Sequence, residues 1–131
     1  MMIPSYPVQA KVHTDIAPAQ VFDVLENQVI SGLPNETHCI DAYLDAGLEL
    51  ALSAGQRGYT RMQESWLRRV YTTLRNAGLD SALPHAHRER CLDTLHQAFF
   101  ALRHLYLNRP GGYGSLRALT REMQLIGRYI L

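Results

Sequence analysis

The sequence predicts an all-α fold: an antiparallel four- to five-helix bundle with a short extended N-terminal arm. Three observations predict it. Apolar residues recur at alternating three- and four-residue steps through most of the chain, the mark of a helix with one buried stripe. Glycine, proline and capping residues interrupt that period, and the gaps between periodic segments are short, so consecutive helices run antiparallel. At 131 residues, 47% of them hydrophobic and 19% charged, the chain suits a folded domain rather than a disordered one.

Residues 1–14 form the expected arm. Pro4 and Pro7 oppose a helix, while Val8, Ala10 and Val12 alternate with polar residues at strand spacing. Such an arm either packs over the bundle or pairs with a second copy. Residues 15–131 are expected to form a single helical-bundle domain. Its first helix runs from about Pro18, in the first turn, to Ser31, with Gly32 and Pro34 closing it. Asn35 is the expected cap of a second helix reaching about Ala54, before a turn flanked by Gly55 and Gly58. Thr60 followed by Gln63 reads as a capping box opening a third helix that Gly78 ends. Pro84 starts a fourth helix to about Leu107. Arg109 to Gly114 is a loop, and Ser115 is the expected cap of a fifth helix.

The stripes define the expected core. The second helix offers Ile40, Leu44, Gly47, Leu48 and Ala51, the third Met62, Trp66, Val70 and Leu74, and the fifth Leu116, Leu119, Met123, Ile126 and Ile130. Gly47 inside a helix costs about 1 kcal/mol against Ala, which a close helix crossing there would offset.

The fourth helix is apolar over a wider arc. Leu92, Leu95, Phe99, Leu102 and Tyr106 make one stripe, and His96, Phe100, Arg103 and Leu107 make a second. A helix of this kind is either central in its own fold or lies under a partner. Central burial would demand a buried partner for Arg103. An arginine between aromatic and aliphatic side chains is also the mixture enriched at binding hot spots.

Charge is segregated along the chain. Residues 1–55 carry one lysine against seven carboxylates, and residues 56–131 carry twelve arginines against five. The formal net charge of +1 therefore hides an acidic front and a basic back, fields that guide association rather than specify fold. Asp41, Asp45 and Glu49 share one flank of the second helix, where like charges one turn apart repel by about 0.2–0.5 kcal/mol per pair. An opposing cationic row would relieve that repulsion, with Arg61, Arg68 and Arg75 on the third helix as candidates and Arg117, Arg121 and Arg128 on the fifth. Otherwise these rows are the solvated faces of amphipathic helices.

Catalytic and metal signatures are sparse. His87 and Cys91 stand one helical turn apart, with His85, His38 and Cys39 as further donors, but the zinc and di-iron patterns are missing. Cys39 and Cys91 are expected in the core, His85 and His87 in solvent, with no metal and no cofactor. The segment Asn108–Ser115 lacks the lysine of a phosphate-binding loop and reads as a helix–helix turn. No secretory signal or membrane-spanning run is legible, and two cysteines make no disulfide framework, so a bacterial cytosol is the expected setting.

These features converge on a small non-enzymatic regulatory or adaptor protein that binds another protein and itself forms a homodimer. The expected contact face is His96, Phe100, Arg103 and Leu107, with Arg61, Arg68, Asp41 and Asp45 as orienting charges. Antagonism of a regulator and escort of another protein are both compatible with it. The alternatives are a nucleic-acid-associated protein using the arginine rows of the third and fifth helices, and a small metal-binding helical enzyme.

Overall fold

The computed structural model describes residues 18–33 and 37–130, with side chains as far as Arg128. Five helices and no strand occur among the described residues: α1 at 18–31, α2 at His38–Gln56, α3 at Thr60–Gly78, α4 at His85–Leu107 and α5 at Tyr113–Ile130. The expected arm at 1–14, the proposed Asn35 cap and the Ile130 side chain lie outside the described residues.

The apolar period places the core as expected for a bundle. α3 packs along α2 and α4, and α5 lies against α4. One cluster runs through all five helices, from Phe22 and Val29 of α1 to Leu119 and Ile126 of α5. Phe22 stacks on Tyr43 of α2 at 4.8 Å and meets the edge of Trp66 of α3 at 5.2 Å, so aromatic contacts join α1 to both neighbours.

Two stripes differ from the sequence reading. The buried arc of α3 is Leu67, Val70, Tyr71 and Leu74; at about 100° per residue Met62 falls well away from it and is exposed. Tyr71 and Tyr43 are fully enclosed, and a tally of aliphatic residues passes over both because each carries a polar hydroxyl.

The helix starts also correct expectations. Tyr59, not Thr60, is the N-cap of α3, and no side chain caps it, so the Thr60–Gln63 box does not form. Gly58, at φ +81°, turns the chain one residue early, and the Gln63 amide closes the first turn by donating to the Tyr59 carbonyl at 2.9 Å. Ser115 likewise lies inside α5, which begins at Tyr113. Thr37 is the N-cap of α2, and it makes no side-chain cap bond either.

Gly47 does mark a close crossing. A Cβ there would collide with Val70 Cγ2 of α3 and sit 3.1 Å from Phe22 Cε1 of α1. Both neighbours are wholly buried, and a β-branched valine has little rotamer freedom to yield. Gly47→Ala should therefore destabilise the fold by about 1–2 kcal/mol, the overpacking cost exceeding the helix-propensity gain. Chemical denaturation followed by circular dichroism measures this, and an unchanged or raised midpoint would contradict the crossing.

Candidate functional site

Three interhelix clamps set the positions of the helices, and each is built the same way. A buried tyrosine donates its hydroxyl to a carboxylate that an arginine also grips. In the first, Tyr43 of α2 donates to Glu26 of α1 at 2.7 Å, and Arg69 of α3 reaches the same carboxylate through Nη2 at 2.7 Å and Nε at 2.9 Å. Arg69 also pairs with Asp23 at 3.0 Å and lies over the Phe22 ring at 4.9 Å. In the second, Tyr71 of α3 donates to Glu122 of α5 at 2.7 Å, and Arg75 donates to the same oxygen at 2.9 Å. In the third, Tyr106 of α4 donates to Glu64 of α3, Arg109 grips Glu64 at 2.8 Å, and Arg68 donates to the Tyr106 hydroxyl at 2.9 Å.

The protonation states follow from these contacts. Burial alone would raise the three carboxyl groups. Hydrogen bonds from Arg69 and Tyr43 on Glu26, from Tyr106 and Arg109 on Glu64, and from Arg75 and Tyr71 on Glu122 outweigh it and hold all three below the ordinary carboxylate value. Burial, reinforced by the adjacent carboxylate, pushes the three tyrosines up, so they remain protonated donors.

With Leu95, Leu102 and Tyr106 buried against the bundle, the opposite side of α4 faces solvent. There His96, Phe100, Arg103 and Leu107 form an exposed ridge, with Phe100 58% and Leu107 44% accessible. The Phe99 ring, at 5.6 Å, flanks Phe100 from the half-buried side. Arg103 has no ion-pair partner among the described residues. An open groove of about 500 Å³ borders the ridge at the start of α3 and the end of α4, lined by Thr60, Gln63, His104, Leu105, Asn108 and Arg109.

The orienting charges are placed differently from one another. Arg61 and Asp45 are exposed. Arg68 is committed to Tyr106 within the chain, which corrects its reading as an outward charge. Asp41 pairs with Arg90 of α4 rather than with an α3 arginine. The acidic flank of α2 is thus not opposed by the Arg61, Arg68 and Arg75 row: Arg75 goes to Glu122, and the arginine that reaches acidic partners on α1 is Arg69. A seven-residue repeat skips Arg69, and its partners lie more than forty residues away in sequence, so no local pattern marks it.

His87 corrects another expectation. It is buried, and its Nε2 donates to the Val29 carbonyl at 2.8 Å, tying the start of α4 to α1. His85 points to solvent and pairs with Glu89 at 3.1 Å. Among the described residues no group of three or more His, Cys, Asp or Glu is arranged to hold a metal. Cys39 and Cys91 are both buried, and burial, with the Cys39 thiol nearby, pushes Cys91 up to about 12. No helix among the described residues is long and apolar enough to cross a membrane.

Comparison with known protein families, curated proteins and solved structures finds no match for this chain.

The clamps make stability depend on acid. Carboxyl groups held low in the fold contribute stability that is complete above their unfolded value, near 4.5, and is lost as pH falls through their folded values. Tyr43→Phe should cost about 1–2 kcal/mol at neutral pH. Glu26→Gln should flatten the loss of stability between about pH 5 and pH 3. Urea titrations across that range measure both effects, and a wild type equally stable at pH 7 and pH 3 would contradict the clamp account.

Proposed function

We propose that this protein is a non-enzymatic adaptor or regulator that works by binding another protein through the outward ridge of α4. The single observation that carries this reading is the exposure of Phe100 and Leu107 on one helix face beside Arg103, which has no ion-pair partner among the described residues. Isolated exposed apolar residues are ordinary on any surface. These lie in register along one ridge, with an arginine between them, on a helix whose other side already fills the core. Burying Phe100 under a partner would contribute about 1.5–3 kcal/mol, comparable to a hot-spot side chain. A homodimer in the bacterial cytosol, where the two buried thiols stay reduced, completes the proposal.

A nucleic-acid reading keeps one specific support: Arg117, Arg121 and Arg128 are all exposed and share a flank of α5. It requires binding that weakens steeply with salt, and Arg121→Ala should reduce the log–log slope by about 0.9. Absence of retention on duplex DNA at low salt would reject it.

The protein-binding reading is tested by affinity capture from the native cell with wild-type protein and with Phe100→Glu. Because Phe100 is exposed, the variant should melt within about 0.5 kcal/mol of wild type. The expected result is a protein recovered by wild type and depleted at least tenfold with the variant. Equal recovery by a folded variant would contradict the ridge as the contact face.

A further inference from the structure

The groove between α1 and α2 has a character opposite to that of the α4 ridge. It encloses about 380 Å³ and is lined by Pro18, Val21, Ala46 and Leu50, with Glu49 and Ser53 on the α2 side. Val21, on the α1 side of the groove, is largely exposed. The groove is concave, apolar and acidic at its edge; the ridge is convex, apolar and cationic.

We propose that a second copy of this chain receives the α4 ridge in its α1–α2 groove, an inference that rests on the reading of α4 as a docking ridge. Phe100 and Leu107 enter between Val21 and Leu50, and Arg103 meets Glu49 and Asp45. Charge decides the choice of occupant. Asp45 and Glu49 have no ion-pair partner among the described residues, and they lie one turn apart, where like charges repel. Arg103 likewise has no ion-pair partner among the described residues. A contact that brings them together relieves the repulsion on α2 and supplies the cation that the chain's own α3 row does not.

Ridge and groove are unlike surfaces, and a twofold axis lets the ridge of each copy enter the groove of the other, as a homodimer requires. Each copy presents both halves, and association is expected to grow with protein concentration.

Charge exchange tests this directly. In analytical ultracentrifugation of the full chain, wild type should self-associate, and Glu49→Arg and Arg103→Glu should each weaken association at least tenfold. The double variant Glu49→Arg with Arg103→Glu should restore it. A wild type that stays monomeric over the accessible range, single variants that associate normally, or a double variant that stays weak would each overturn the proposal. Val21→Glu separates this inference from the one beneath it: it should abolish self-association and, by freeing the ridge, leave Phe100-dependent capture of another protein at or above the wild-type level. A monomeric wild type whose melting temperature falls on Val21→Glu would mean that the groove is covered within one chain, and that outcome also overturns the proposal.

Discussion

A tyrosine hydroxyl and an arginine converging on one carboxylate is the contact on which this bundle depends. It recurs three times, and every instance has a member on α3: Arg69 in the first, Tyr71 and Arg75 in the second, Glu64 and Arg68 in the third. A carboxylate partly removed from water is costly unless its lone pairs are occupied. Here each receives at least one charged and one hydroxyl donor, and hydrogen bonds of this kind are worth more than neutral ones. Apolar packing makes the helices associate. The clamps fix how far each can slide or turn against α3.

That constraint leads to the exposed ridge. Tyr106 is held at its hydroxyl by Glu64 and Arg68, and the Arg68 and Arg109 guanidinium groups lie 5.5 and 5.7 Å from its ring. With Tyr106 fixed inward, helical geometry leaves Phe100, Arg103 and Leu107 pointing out. His87 fixes the other end of α4 against α1 through the Val29 carbonyl. The proposed docking face is therefore presented by a helix anchored near both of its ends, and a rigid face loses less entropy when a partner covers it.

The fold class was legible in the sequence because helix periodicity and turn residues are local signals. The close crossing at Gly47 was legible for the same reason, since an interior glycine needs a packing explanation. The ridge was legible as a second stripe on the fourth helix. What escaped was every polar interaction between distant residues. Tyr43 and Glu26 are separated by 17 positions, and Tyr71 and Glu122 by 51. No spacing rule joins such pairs. Charge rows showed which cations share a helix flank, but not that Arg68 and Arg75 turn inward to hydroxyl and carboxylate partners while Arg69, outside the row, reaches α1. His87 escaped because a histidine in a first turn next to charged residues resembles a solvent-facing one. The Tyr59 N-cap of α3 and the start of α5 at Tyr113 escaped because glycine turns, not side-chain caps, set them.

The central claim is that α3 is the strut to which the other helices are clamped. Native-state hydrogen exchange measured residue by residue tests it most directly, because it ranks the opening free energy of each helix. The account predicts that amides of α3 between Glu64 and Arg75 exchange slowest, only through global unfolding, with α1 and α5 opening at lower free energy. Amides of α3 that open as readily as those of α1 or α5 would contradict it.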